Sequence, residues 1–454
     1  MKTLAFLKNL ASVIMIAFFG ILILPFCKSD DVAVVAGIML NKTQLTSSEG
    51  NKLTSEATLE RVNLTSKTTE WFSQNRNVTT VNTNDNLITV AQGDAAIMMT
   101  IDDTIKMRNR AVIATDHNGH NLPRLRGTMI YPDTFKPEDI KVLAGDWKAN
   151  HIRWPLLWES FPNGPADTAT VEDFDVWLDK QCAQLDKMLP QFERYGVWVT
   201  LDLHTPPGGR FPKKKFAIVR MFQEKKFQDA FVAIWKKLAH KYKGTKAICY
   251  YDLLNEPVET HIPERKDILN WRELALKTSK EIRKIDPYKP IVVEPAPWAT
   301  PDALESFEPF DPKEVPNVVY SVHMYVPQTF THQGVDTSLT TWVYPGMIDG
   351  KYWNKEQLRE SLRVVRKFAN DHHVPIYIGE FGSIRWAPQN STYRYLKDCI
   401  EIFEEEGWDW AYHAFREWDG WSVEHSTDKN DHSRTTEPTD RELLLRSWFE
   451  KNEL

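Results

Sequence analysis

The chain has 454 residues, 42% hydrophobic and 26% charged, enough for one large domain with a substantial core or two smaller ones. Its formal net charge of -6 argues against a nucleic-acid partner. The four cysteines, Cys27, Cys182, Cys249 and Cys399, form no C-x-x-C pair, which argues against a zinc site or dithiol redox motif and for buried thiols. Most of the 17 tryptophans are expected in the core, leaving a minority to face flat ligands such as sugar rings.

Lys2 and Lys8 precede an apolar run from Leu10 to Phe26, and Asp30-Asp31 follow it. Residues 1–29 read in two ways. One is a signal peptide, with Cys27 and Ser29 at a cleavage site; the other is an uncleaved membrane tether through residues 10–26. The first predicts a secreted protein, the second one anchored at the cell surface. The C-terminal "KNEL" looks like a retention signal, but a charged helical tail, "RELLLRSWFEKNEL", produces it by chance and is the preferred reading. Sequons stand at Asn41, Asn63, Asn77 and Asn390.

Residues 30–106 form an N-terminal region rich in Thr, Asn and Ser with no evident chemistry. Its alternating pieces "NVTTVNTN" and "NLITVAQ" predict short strands. From Met107 the character changes, and residues 107–454 are expected to form the catalytic domain. "AVIATDHNGHNLPRL" reads as a hairpin turning at Asn118-Gly119. Eight apolar runs follow: "RLRGTMI", "HIRWPLLW", "GVWVTLDLH", "ICYYDLLNEP", "IVVEPAP", "VVYSVHMYVP", "PIYIGEFG" and "WAYHAFREW". Most are nearly continuous in apolar residues, as strands buried on both faces should be.

The segments between them carry helical periodicity. Phe174, Trp177, Leu178, Cys182, Leu185, Met188 and Phe192 share one face, with Thr170 and Asp173 placed as a capping box. Phe227, Phe231, Ile234, Trp235 and Leu238 form a second face, and Leu358, Leu362, Val365 and Phe368 a third. Strands alternating with helices over this length predict a (β/α)8 TIM barrel of the α/β class. The competing fold, a doubly wound sheet, calls for a Gly-rich phosphate loop after its first strand, and "RLRGTMIYPD" is not one.

Barrel function lies at the C-terminal ends of the strands. In order, those ends deliver Arg153, His204, Asn255-Glu256, Glu294 then Trp298, His323 with Tyr325, Glu380, and finally Glu417 and Trp418. One polar strand end is ordinarily a cap or a satisfied buried group. So many on one rim point to a shared purpose, because each group left unsatisfied costs about 1–3 kcal/mol. Glu256 after the fourth strand and Glu380 after the seventh face each other across the barrel axis. Two opposed carboxylates are the equipment for glycosidic cleavage, one protonated and one ionised. On this reading Arg153 keeps Glu380 ionised, and the charge of Glu380 raises the pKa of Glu256. Asn255 stands where its amide can grip a sugar hydroxyl.

"RW" at Arg153, "DLH" at His204, "LLNEP" at Asn255-Glu256, "HMY" at His323 and Tyr325, and "GEFG" at Glu380 together resemble glycoside hydrolase family 5, the cellulase-type retaining glycosidases. The resemblance spans about Arg126 to Trp421. It implies Glu256 as acid/base and Glu380 as nucleophile. It implies that Arg153, His204, Asn255, His323 and Tyr325 bind sugar or orient Glu380, and that no metal or cofactor takes part. The family usually carries a Trp platform at the end of the eighth strand, and here Trp418 and Trp421 are the nearest candidates. Trp158, Trp298, Trp386 and Trp418 are candidates for flanking subsites.

The expected function is a retaining endo-β-glycosidase acting on β-1,4-glucan. β-Mannan, β-1,3-glucan, xyloglucan or a glycolipid stand as alternative substrates. A non-catalytic carbohydrate-binding barrel would be expected to lack one carboxylate, and both are present. The basic loop "HTPPGGRFPKKKFAIVRMF", with Lys213, Lys214 and Lys215, will shape the cleft.

Overall fold

The computed structural model describes residues 122–453, except 160–163, 211–218, 260–265 and 336–340, together with six backbone strands between residues 44 and 115. The segment Leu10–Phe26, the hairpin turn at Asn118-Gly119 and Lys213–Lys215 lie outside the described residues.

Eight strands close into a barrel: β1 Arg126–Ile130, β2 His151–Pro155, β3 Trp198–Asp202, β4 Ile248–Asp252, β5 Ile291–Val293, β6 Val318–Met324, β7 Ile376–Phe381 and β8 Asp409–Phe415. Each pairs in parallel with its neighbour in sequence, and β8 returns to β1 with Trp410 opposite Arg126. These are the eight apolar runs, and their closure excludes the open sheet.

Alternation along a strand sends one set of side chains to the helices and the other into the barrel. In β2, Ile152 and Trp154 join the outer core, while His151 and Arg153 point inward. The barrel floor is packed by Leu125, Cys249, Tyr250, Val292, Val319, Tyr377 and Ala411. Just above it His151 Nε2 meets Tyr377 Oη at 3.0 Å. The inward residues then become charged towards the C-terminal mouth, where Asp202 and Asp252 are register partners on β3 and β4. His323 and Glu380 are register partners on β6 and β7.

The helices cover the outside. Helix α1, Val171–Tyr195, begins with the expected box: Thr170 Oγ1 accepts the Asp173 N–H at 3.1 Å, and Asp173 Oδ2 accepts the Thr170 N–H at 3.0 Å. It ends at Gly196, whose φ of 67° favours glycine. Phe174, Leu178, Cys182, Leu185, Met188 and Phe192 are buried along it, and taking each large apolar side chain out of water contributes roughly 2 kcal/mol. Trp177 is only half-buried. Helix α2, Lys225–Tyr242, buries all five residues of the second expected face. The third face is split. Leu358 lies on α3, Lys355–Ser361, and Val365 and Phe368 on α4, Arg363–His372, with Leu362 breaking the helical path between them. A 3.6-residue period cannot register such a break, because both halves bury the same side.

Of the N-terminal region, backbone strands Thr79–Val81 and Leu87–Thr89 pair as a hairpin where short strands are expected. The strand Thr104–Thr115 pairs with Gly93–Ile101, upstream of it, and with Gln44–Ser47. The expected boundary at residue 107 therefore falls inside a strand. At the other end, Asn452 of "KNEL" is docked on the barrel, accepting from Arg126 Nη1 at 3.0 Å and donating to the Lys148 carbonyl at 3.0 Å. Cys182, Cys249 and Cys399 are buried free thiols.

Candidate active site

Arg153 rises from β2 into the centre of the mouth and is fully buried. Its guanidinium reaches Glu380 Oε1 at 2.6 Å, Glu294 Oε1 at 2.9 Å, Asp252 Oδ2 at 2.9 Å and Asp202 Oδ2 at 3.3 Å. It also donates to Asn255 Oδ1 at 3.0 Å. A planar fork of five N–H donors holds these acceptors in one fixed arrangement, where an ammonium offers only three freely rotating donors. A side chain this deep is tolerable only because it is so fully paired.

Asn255 sits in a chain of contacts. Its Nδ2 donates to His204 Nε2 at 3.2 Å, and His204 Nδ1 donates to Asp202 Oδ2 at 2.8 Å. The amide oxygen thus serves Arg153 and one of its two hydrogens serves His204, and only 1% of Asn255 is exposed.

Glu256 sits in the left-handed region, with φ of 43°. That conformation costs a non-glycine residue about 1–3 kcal/mol unless its surroundings enforce it. Here the backbone is tied at both ends. Its N–H donates to Glu294 Oε2 at 2.6 Å, and its carbonyl accepts from Arg210 Nη2 at 2.9 Å. The turn aims the carboxylate into the mouth, where Oε1 meets His323 Nδ1 at 2.9 Å.

Glu380 arrives from β7 between two glycines, and each is needed for a close approach. A Cβ on Gly379 would lie 2.7 Å from Ser321 Oγ and 3.0 Å from His323 Nε2. One on Gly382 would lie 2.7 Å from the His413 carbonyl oxygen. The "GEFG" motif thus seats Glu380 against β6 and β8. Tyr325 donates its hydroxyl to Glu380 Oε2 at 2.9 Å. One oxygen of Glu256 and one of Glu380 lie within 4.8 Å of each other.

Burial opposes the charge on Glu380, but His323, His413 and Arg153 together hold its carboxyl well below the usual range. The imidazoles outrank the guanidinium that the sequence singles out. For Glu256, burial and the charge of Glu380 raise the pKa, as expected, yet the hydrogen bond and charge of His323 win, so the net shift is downward. The expectation holds for the contribution of Glu380 but not for the net direction. It omitted His323, which burial alone would discharge but which the charges of Glu294 and Glu380 keep cationic, well above the usual imidazole range.

The same three residues, Glu256, His323 and Glu380, are close enough to be considered as metal ligands. The chemistry of the donors does not fit. Both nitrogens of His323 face carboxylates, Glu256 at 2.9 Å and Glu294 at 3.1 Å, so both carry hydrogens and neither offers a lone pair.

Trp298 lines a hollow beside Glu256 with Arg210, Phe222 and Val258. Trp418 is 40% exposed and meets Trp386 and Trp421 edge-on, at 5.8 and 5.9 Å between ring centroids. Trp421 in turn lies 5.9 Å from Tyr325, so an aromatic path leads from the surface to Glu380. One face of Trp158 is already covered by Trp177, stacked at 5.1 Å.

The model of the cellulase family, glycosyl hydrolase family 5, matches residues 112–419. The chain belongs to this family. Among curated relatives, endoglucanase C of Acetivibrio thermocellus is 29% identical over 299 residues, covering 60% of this chain and 82% of that protein. Cellodextrinase A of Ruminococcus flavefaciens is 27% identical over 288 residues, covering 61% and 77%. Crystal structures of Thermotoga maritima Cel5A with cellobiose and with mannotriose share the fold at a TM-score of 0.52 and 24% identity, covering 70–71% of this chain and 96% of theirs. This family 5 protein is accordingly a glycoside hydrolase built on a (β/α)8 barrel. Among the described residues no helix is long and apolar enough to cross a membrane.

Three members of the site escape a reading of strand ends. Asp202 and Asp252 stand inside their apolar runs, two residues before His204 and three before Asn255. His413 lies two residues beyond Ala411, on the inward face of β8. Counting by two from the floor, rather than taking the last polar residues Glu417 and Trp418, finds it.

Proposed function

We propose that this family 5 hydrolase is a retaining endo-β-glycosidase of β-1,4-glucan, with Glu256 as acid/base and Glu380 as nucleophile. The observation that supports this reading is that one oxygen of Glu256 and one of Glu380 lie within 4.8 Å of each other, on either side of His323 Nδ1. Retaining enzymes hold their pair about 5–5.5 Å apart, whereas inverting ones leave room for a water, at about 6.5–9.5 Å. The environments of the two are also unequal. Arg153 donates to Glu380 and not to Glu256, which suits Glu380 to stay ionised and attack the anomeric carbon. Tyr325 fixes its second oxygen.

Glu256 needs a proton to give to the leaving oxygen. The Nδ1 hydrogen of His323, aimed at Glu256 Oε1, can supply it along an existing hydrogen bond. Once Glu380 becomes a glycosyl ester its negative charge is gone, and Glu256, now ionised, takes a proton from the incoming water. His204 and Asn255 hold Arg153 and the turn before Glu256, and Trp298 and Trp418 offer faces to flanking sugar rings.

The glucan assignment rests on the endoglucanase and cellodextrinase relatives. A polymeric substrate and the apolar run Leu10–Phe26 support export, either free or tethered. Reducing-sugar release should be measured over carboxymethyl cellulose, mannan, laminarin and xyloglucan. Carboxymethyl cellulose is expected to be cut fastest, with Glu380→Ala folded and inactive. Preference for any other polymer would overturn the glucan assignment, and near wild-type turnover by Glu380→Ala would overturn the mechanism.

A further inference from the structure

The mouth contains a second ion pair that the two-carboxylate mechanism does not use. His413, on the inward face of β8, sets Nε2 at 2.6 Å from Glu417 Oε2. Its Nδ1 contacts Tyr325 Oη and lies 3.5 Å from Glu380 Oε2. Trp421 covers the ring at 5.6 Å and 30°, and only 13% of the His413 side chain is exposed.

Counting hydrogens assigns the charge. Tyr325 has one hydroxyl hydrogen and gives it to Glu380. The hydrogen between His413 and Tyr325 must therefore come from Nδ1. Nε2 faces a carboxylate oxygen, an acceptor, and so carries a hydrogen as well. With both nitrogens protonated the ring is an imidazolium.

We propose that His413 and Glu417 form a positioning pair for Glu380, with the imidazolium orienting Tyr325 and holding Glu380 ionised from the rim, opposite Arg153. This rests on reading Glu380 as the nucleophile. The chain runs Glu417, His413, Tyr325, Glu380, with each hydrogen donated outward from a cation or hydroxyl to an acceptor. Charge-assisted links of this kind are about twice as strong as neutral ones. The pair is neutral as a whole, but its positive end is the end nearer Glu380.

The charged groups facing His413 are Glu417 beyond β8, Glu380 from β7 and His323 from β6. Burial disfavours the imidazolium and His323 repels it, but Glu417 and Glu380 outweigh both and push its pKa up to about 9. Tyr131, after β1, feels Glu417 from the other side.

Glu417→Gln tests the charge while keeping the shape. A glutamine amide can donate to Nε2 of a neutral imidazole whose Nδ1 hydrogen still reaches Tyr325. The acid limb of kcat/KM should then move up by about half a pH unit, as the carboxylate loses a nearby cation. His413→Gln leaves Glu417 without its counter-charge and should move the limb further, by roughly one unit. The double variant should return to the Glu417→Gln value.

A purely structural pair would lower activity and thermal stability without moving the limb, and that result overturns the proposal. In the unaltered enzyme, ¹⁵N NMR should show both His413 nitrogens protonated at pH 7, with the signal assigned by its change in Glu417→Gln. A neutral ring there also overturns the proposal, whether or not His413→Gln folds.

A 2-deoxy-2-fluoro-cellobiosyl fluoride separates this inference from the reading beneath it. Label mapped to Glu380 with an unmoved acid limb defeats the pair alone. Label on another carboxylate defeats the assignment of Glu380 and the pair with it.

Discussion

Glu380 is held by cations of two kinds on two sides. Beneath it, Arg153 is fully buried, permanently charged and surrounded by Asp202, Asp252 and Glu294 as well. At the rim, His323 and His413 carry charges that depend on pH. The floor sets geometry, because a guanidinium forked among rigid strands has one arrangement. The rim sets the protonation window, because each imidazole is cationic only while its carboxylate neighbours keep it so. A single site thus divides positioning from titration between two regions of the barrel mouth.

Removing the shared target should have the largest effect. Glu380→Ala and Glu256→Gln should each lower kcat on the order of 10²–10⁴-fold or more, without a matching loss of stability. They should differ with azide: Glu256→Gln should yield the β-glycosyl azide from an activated substrate, and Glu380→Ala the α-azide. The same azide anomer from both variants would mean that the roles are not divided as proposed.

Removing the floor comes next. Arg153→Met strands the carboxylates of Asp202, Asp252, Glu294 and Glu380 in a low-dielectric site. Breaking a buried pair in this way should cost about 3–5 kcal/mol, read from the urea midpoint. A cost below about 1 kcal/mol would mean that the floor is not held by this residue.

The rim should respond to pH instead. His413 has its pKa raised to about 9, so its contribution to stability is complete below the ordinary imidazole value near 6.5 and is lost as pH rises towards 9. The unfolding midpoint should therefore fall between pH 6.5 and 9, and fall less in His413→Gln. Equal slopes in both proteins would remove the titrating rim from the account. The smallest effect belongs to the surface end of the aromatic path. Trp418→Ala should raise KM roughly threefold to tenfold with kcat nearly unchanged, the loss expected of one ring contact.

The contrast between floor and rim also explains what was legible in the sequence. The eight strands were legible because strands covered on both faces must be apolar throughout. Arg153, His204, Asn255, Glu256, His323, Tyr325 and Glu380 were legible because each sets a polar group within or at the end of such a run, and the structure brings all of them together. The balance of charge was not. Asp202 and Asp252 look like strand interior, and His413 hides between Tyr412 and Ala414. The sign of the Glu256 shift depends on His323 lying 2.9 Å away, a distance set by β-register and by Gly379. Pattern reveals which groups line a mouth, but pairwise distances decide which of them keep their protons.

The stereochemistry of the first product distinguishes a covalent glycosyl intermediate on Glu380 from direct attack by water. Proton NMR of cellopentaose during the first minutes of hydrolysis resolves the anomeric signals before mutarotation blurs them. Attack by Glu380 followed by attack of water predicts that the β-anomer appears first. Initial release of the α-anomer would contradict a nucleophilic Glu380 and the two-step mechanism built on it.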